Sequence, residues 1–200
     1  MQLITRPDKS QRAEVKRIAS ESFCGDELFA SFGDGARRRE LVTRYMDCYV
    51  DFAIAQKVLW ANDGFNGFVA LLGSHEERFL STSWMLLKLR MTMPRAEYGG
   101  FLAYCDEISN DSEPYKQRPY LEMLMLCVDP TERGHGLGRE LFEFSKRRSI
   151  ELGLPLVIDT DMLGNAQMYQ HLGCELMGTR RGSNGVTRFN FAWYPPEDPT

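Results

Sequence analysis

Three glycines fall within six residues in Arg133-Gly134-His135-Gly136-Leu137-Gly138, directly ahead of a helix-forming stretch. Glycine leaves backbone N–H groups unshielded, and at a helix start those donors have no intrahelical partner. The helix dipole points the same way, so the turn suits an anion such as a phosphate. Two common phosphate sites are excluded. No Gly-Lys-Ser/Thr follows, and Arg139 stands where the dinucleotide fingerprint needs its third glycine. A second chemical candidate is Glu122, a carboxylate within an otherwise apolar run. Apolar surroundings push a carboxyl pKa upward, toward the range of a useful base. Asp159 and Asp161 are its rivals. Cys127 reads as a small buried hydrophobe and not as an acyl carrier. His75, His135 and His171 have no ligand spacing, so no metal site is expected, and no GxSxG nucleophile motif occurs.

These residues need elements to hold them. Leu121–Val128, bounded by Asp129-Pro130, predicts a buried strand. Alternation would place Glu122 on one face with Leu124, Leu126 and Val128. From Gly136 to Leu152 the period is helical, with Leu137, Leu141 and Phe142 inward, and Gly153 and Pro155 ending it. Leu156–Thr160 predicts a second, parallel-type strand. Gly164–Leu172 predicts a short helix with Asn165 and Tyr169 one turn apart on one face. Glu175–Thr179 and Val186–Trp193 close the chain as a hairpin around Ser183-Asn184-Gly185.

Earlier in the chain, Gln2–Ile4 predicts a short strand and Thr5-Arg6-Pro7-Asp8 a helix start, with proline early and an acid in the first turn. Val15, Ile18, Ala19 and Ser22 form its core stripe. A loop, Cys24–Gly35, carries Phe29 and Phe32, and a second helix carries Leu41, Tyr45, Cys48 and Phe52. Val58–Ala61 and Gly67–Leu72 predict a hairpin whose second strand, apolar on both faces, is central. Gly73–Arg118 then predicts two helices, one with Trp84, Leu87, Met91 and Met93 and one over Ala96–Ile108. A long ordered insertion suggests a lid or binding surface. Trp84 and the methionines are expected mainly to pack the insertion itself.

The succession of strand, glycine turn, helix, strand and Asn/Tyr helix resembles the GNAT acetyltransferases. Their Arg/Gln-x-x-Gly-x-Gly/Ala signature is matched by Arg133, Gly136 and Gly138, and Val128-Asp129-Pro130 and Asn165…Tyr169…Leu172-Gly173 are also similar. The resemblance is strong from Tyr120 to Trp193 and loose before it. It implies a single α/β domain over residues 1–200, with a mixed central sheet, splayed parallel strands and flanking helices. Residues 73–118 would be a helical insert between the third and fourth strands, where simple members have a short loop. It also implies acetyl-coenzyme A as the acetyl donor. The backbones of Arg133, Gly134, His135, Gly136, Leu137, Gly138 and Arg139 would hold the pyrophosphate. Leu126, Cys127 and Val128 would pair with the pantetheine amides as a strand would, and Asn165 would hold a cofactor amide. Tyr169 corresponds to the tyrosine that protonates the departing thiolate. Glu122 stands where some members have a glutamate base, while others use an ordered water. The carboxy-terminal half is similar to the branch acting on small molecules, including puromycin-type antibiotic acetyltransferases.

On this resemblance the acceptor is a small-molecule primary amine. Its site would be formed by Cys24–Gly35, the start of the second helix and the insert. Asp26, Glu27 and Asp34 are placed either to receive a cationic amine or simply at the surface. A non-catalytic acyl-coenzyme A sensor and a protein or peptide acetyltransferase are the alternatives. Tyr169 argues against the first, and the covering insert against the second. Two hundred residues suffice for one core, and a net charge of −4 gives no general attraction to nucleic acid or an anionic membrane. Arg37–Arg39 and Lys146–Arg148 read as solvated helix faces, the second close enough in sequence to the glycine turn to serve a cofactor phosphate. Five cysteines without a CxxC pair, no leader-like opening and no bilayer-length apolar run lead to the expectation of a cytoplasmic protein. The sequence leaves a homodimer open.

Overall fold

The computed structural model describes residues 1–74, 79–111 and 113–196. Helix α1 spans Lys9–Phe23. The Asp8 carboxylate accepts the Gln11 N–H at 2.8 Å, and the Gln11 side chain accepts the Asp8 N–H at 3.1 Å. This reciprocal pair fixes Asp8 as the cap. The acid therefore precedes the first turn, whereas the sequence pattern suggests a place within it.

Seven strands form one sheet: β1 (Gln2–Leu3), β2 (Leu59–Ala61), β3 (Gly67–Gly73), β4 (Leu121–Val128), β5 (Leu156–Thr160), β6 (Glu175–Arg181) and β7 (Thr187–Trp193). Their order is β1-β2-β3-β4-β5-β7-β6. β4 and β5 are parallel, and the other neighbours are antiparallel. The closing hairpin thus inserts β7 against β5 and leaves the polar β6 at the edge, where charged side chains discourage further pairing.

The remaining helices are α2 (Gly35–Ala55), α3 (Phe79–Thr92), α4 (Arg95–Glu107), α5 (Leu137–Leu152) and α6 (Leu163–His171), with a 3₁₀ segment at Glu27–Phe32. One core lies between the sheet and α1 with α2, around Val15, Ile18, Leu41, Phe68 and Leu72. The other lies under α5 and α6, around Val69, Leu121, Leu141, Phe142 and Phe191. Every residue of β3 is buried between them. At its first residue a Cβ on Gly67 would come within 2.9 Å of Leu137, so glycine lets α5 start hard against the sheet. The insertion forms the two expected helices, with α3 on α2 and α4 on the 3₁₀ segment.

Two irregularities of β4 shape the middle of the sheet. It pairs with β5 only at Leu121, Glu122 and Met123, and beyond that the strands separate. It also bulges against β3: Ala70 faces Met125 and Leu71 faces Met123, leaving Leu124 as the extra residue. The bulge resets the alternation. Leu124 packs toward α1 and α2, whereas Leu126 and Val128 pack toward α5. The single face expected for Glu122, Leu124, Leu126 and Val128 is therefore divided, because one inserted residue exchanges the two faces downstream of it.

Candidate active site

Where β4 and β5 part, two cavities open and meet. The first, about 470 Å³, is lined by Leu126, Val128, Arg133, Gly134, Gly136, Leu137 and Gly138 on one side, and by Met162, Asn165, Met168 and Tyr169 from α6 and the turn before it. Gly134 and Gly136 both have φ of +83°, a conformation costly for any residue with a Cβ. Gly136 caps α5 without a side-chain acceptor, so no capping side chain occupies the first N–H groups of the helix. The turn is anchored from behind. Asp129 accepts the N–H and hydroxyl of Thr131 at 2.9 and 2.7 Å and pairs with Arg17 of α1. The Thr131 hydrogen bonds, followed by Arg17, hold the Asp129 carboxyl down to about 2.

Of the sequence-predicted turn residues, His135 and Arg139 do not line this lobe. The His135 side chain is exposed and lies 3.7 Å from Glu132. Cys127 points into the opposite core, where burial pushes its thiol up to about 12. A thiol held protonated is no nucleophile. Lys146 turns away from the turn, donating to the Leu172 carbonyl at 2.7 Å and stacking over Phe142 and Trp193. Arg147 and Arg148 lie over Phe144 and Trp60, and none of the three lines the glycine-turn cavity. His75 lies outside the described residues.

The second cavity, about 280 Å³, has an aromatic wall and a charged wall. The first comprises Phe23, Tyr45, Tyr49 and Phe101, from α1, α2 and α4. Phe101 packs on Tyr45 at 5.1 Å and on Phe29 at 5.7 Å, and the Tyr49 hydroxyl donates to the carbonyl of the bulged Leu124 at 3.2 Å. Of the insertion, α4 reaches this lobe through Phe101 and Cys105, while the strongly exposed Trp84 of α3 does not.

The charged wall is largely neutralised within itself. Lys116, with 3% of its side chain exposed, lies 3.4 Å from Glu122 and 3.5 Å from Asp159. Burial disfavours its charge, but the two carboxylates outweigh that and raise its pKa. Asp159 is pushed up by burial, an effect Lys116 opposes. Asn110 ties the same cluster together, donating to Asp159 at 3.0 Å and to Asn190 at 2.9 Å. Asp161 receives Arg188 in two hydrogen bonds of 3.0 and 2.7 Å. Glu122 thus sits beside a buried ammonium, opposite Leu72 and Val157 in the sheet.

Five residues line both cavities: Ser22, Asp26, Leu126, Asn165 and Tyr169. Tyr169 is 6% exposed, its ring between Phe142 at 5.6 Å and Phe191 at 6.0 Å. Burial is the main cause of a strongly raised phenol pKa, with smaller contributions from Cys174 and Asp26. The phenol stays protonated and can donate. Asn165 reaches Thr160 at 3.5 Å. Asp26 caps the 3₁₀ segment, accepting the Leu28 N–H at 2.9 Å, and burial pushes its carboxyl up to about 6. Glu27 and Asp34, its neighbours in the loop, are exposed. The loop Cys24–Gly35, with Asp26 as one of three acids that could receive a cationic amine, is an acceptor-side expectation from the sequence, and the structure sets Asp26 in both cavities. The helical period pointing Ser22 inward hinted at its place beside them.

No protein-family model matches the chain, and no curated protein sequence matches it. Its fold does have solved counterparts. An agmatine N-acetyltransferase mutant in its apo form superposes with a TM-score of 0.59 at 16% identity, covering 94% of this chain and 96% of the other. A mosquito arylalkylamine N-acetyltransferase like 5b gives 0.59 at 16%, covering 93% and 96%. A structure named histone acetyltransferase HPA2 and related acetyltransferase, from Corynebacterium glutamicum, gives 0.59 at 13%, covering 97% and 96%. The chain has the GNAT acetyltransferase fold.

Proposed function

We propose that this protein transfers an acetyl group from acetyl-coenzyme A directly to the primary amine of a small molecule. The observation that carries the reading is the junction: a lobe lined by the glycine turn and a lobe of about 280 Å³ meet at a buried tyrosine in the gap between β4 and β5. The fold-level likeness to enzymes named for agmatine and arylalkylamines supports an amine acceptor. The small volume of the second lobe, walled on one side by Phe101 and Cys105 of α4, supports a small molecule over a peptide, which needs a longer groove.

Bound acetyl-coenzyme A would supply the acetyl group already activated as a thioester. The residues present fit it. Gly134, Gly136 and the first turn of α5 offer oriented N–H donors to the pyrophosphate, and Leu126–Val128, paired with β3 but not with β5, offers backbone groups on its β5 side to the pantetheine arm. Asn165 would hold an amide of that arm. Tyr169 then acts as general acid toward the departing sulfur, its phenol kept neutral by burial. Glu122, Asp159, Asp161 and an ordered water are the expected alternatives for the base. Lys116 holds Glu122 and Asp159 in ion pairs and Arg188 holds Asp161, so none of the three is free to take a proton at no cost.

The test is thiol release from acetyl-coenzyme A with a panel of arylalkylamines, diamines, aminoglycosides and peptides, alongside calorimetric coenzyme A binding. Turnover of small amines and not of peptides is expected. Tight coenzyme A binding with no acceptor in the panel consumed would replace this reading with an acyl-coenzyme A sensor.

A further inference from the structure

We propose that Asp26 is the seat of the acceptor's ammonium group and the base that takes its proton, and that the acceptor is a monoamine with an aromatic or similarly broad apolar body. This rests on the transferase reading and adds its substrate class and its base.

Position supplies the first reason. The amine nitrogen and the thioester carbon have to meet where the two lobes join. Of the five residues shared by both lobes, Asp26 alone is a carboxylate, and it stands with Tyr169 at that junction.

Charge supplies the second. The acceptor lobe carries four carboxylates, at Asp26, Glu122, Asp159 and Asp161. Lys116 holds Glu122 and Asp159, and Arg188 holds Asp161. Among the described residues no cation lies within ion-pair distance of Asp26. The groups facing it from its surroundings are Asp161 from the end of β5, Arg188 from β7, Arg38 from α2, which donates to its carbonyl, and the neutral Tyr169 from α6. Of the four acids Asp26 alone has no cation at ion-pair distance among the described residues, so an arriving ammonium finds its partner there. A second cation, from a diamine or agmatine, would compete with Lys116 and Arg188 for the other three acids. Phe23, Tyr45, Tyr49 and Phe101 offer apolar surface for the rest of the molecule instead.

Chemistry agrees with position. Burial places the Asp26 titration at about 6, so near neutrality it is ionised yet more basic than an exposed aspartate. Asp26 takes one proton from the ammonium, and the freed lone pair forms the C–N bond at the thioester carbonyl carbon. The Tyr169 hydroxyl gives a proton to sulfur as the C–S bond breaks with its electron pair on sulfur. Tyr169 regains a proton from the second nitrogen–hydrogen bond, and Asp26 releases its own to solvent.

The experiment compares wild type, Asp26→Asn and Glu122→Gln, using 2-phenylethylamine and putrescine. Calorimetry of 2-phenylethylamine, with and without coenzyme A, should weaken at least tenfold in Asp26→Asn and stay within threefold in Glu122→Gln. Coenzyme A affinity should be unchanged in both. In turnover, Asp26→Asn should lower kcat/KM at least 100-fold and remove the acid limb near pH 6, which Glu122→Gln retains. Putrescine should be at least tenfold poorer than 2-phenylethylamine. A third readout needs no ligand. A carboxyl titrating higher in the folded than in the unfolded chain loses stability as pH rises from about 4 to about 6. Asp26→Asn should therefore melt above wild type at pH 7.5, with the gap closing as pH falls. Unweakened amine binding in Asp26→Asn, or an acid limb that persists in it, overturns the proposal, as does preference for putrescine. Amine binding that depends on Asp26 without any turnover refutes the transferase reading and leaves the ammonium seat standing. No amine binding to the wild type refutes the seat.

Discussion

The two lobes are built by opposite means. The cofactor lobe is mostly backbone: a contiguous turn, two left-handed glycines and the start of α5. The acceptor lobe is mostly side chain, converging from α1, α2, α4, both parallel strands and β7. A backbone site tolerates sequence drift outside its glycines and offers the same cradle to many cofactors of one chemistry. A side-chain site can be rewritten residue by residue, so it is where specificity resides. Tyr169, on α6, is shared between them.

The largest expected effect tests that shared position. Tyr169→Phe keeps the ring between Phe142 and Phe191 but removes the proton. We expect kcat to fall roughly 10²–10⁴-fold, the usual size of a lost general acid, with coenzyme A affinity within threefold by calorimetry. A kcat within threefold of wild type, with chemistry shown to be rate-limiting, would merge the two lobes into a binding site without this acid.

Next comes the ionic wall of the acceptor lobe. Lys116→Met leaves Glu122 and Asp159 facing one another without their cation, and breaking a buried pair costs about 3–5 kcal/mol. Asp159 is already pushed up by burial, so it contributes stability below its ordinary range and loses it as pH rises. Removing Lys116 enlarges that loss. The melting-temperature deficit should therefore be greatest above neutrality and shrink toward pH 5. A deficit independent of pH would mean that Lys116 acts by packing alone.

A smaller, one-sided effect is expected in the other lobe. Gly136→Val forces a β-branched residue to φ of +83° and covers the N–H donors beside it. The coenzyme A dissociation constant should rise tenfold or more, about 1.4 kcal/mol, with 2-phenylethylamine binding to the free protein unchanged. Equal damage to both ligands would erase the distinction between the lobes.

The smallest effect belongs to Trp84. Its side chain is 68% exposed and lies outside both lobes. Trp84→Ala should leave the acceptor KM and the coenzyme A affinity within twofold, with stability changed by no more than about 0.5 kcal/mol. A shifted acceptor preference would extend the acceptor lobe to α3.

Much of the fold was readable in advance because it is written in local period and punctuation. β4 and α5 begin and end where their apolar runs, Asp129-Pro130 and Gly153 said they would. Asn165 and Tyr169 face the gap together because four residues make one helical turn. The failures are equally physical. A bulge depends on how β3 registers against β4, so nothing in the β4 sequence alone announced that Leu124 would exchange its faces. The order of the closing hairpin depends on which strand β5 accepts as a neighbour.

By itself the sequence determined the glycine turn ahead of α5, since its shape follows from where glycine permits positive φ. It also determined that Asn165 and Tyr169 would share one face of a short helix after the second parallel strand. Only the tertiary structure decided which acids are paired. Lys116 and Glu122 lie six residues apart, but Asp159 and Arg188 reach that wall from strands far along the chain, and Asp26 from a loop near its beginning. Ionic state depends on distance in space and on burial, and neither is encoded in any one stretch of residues.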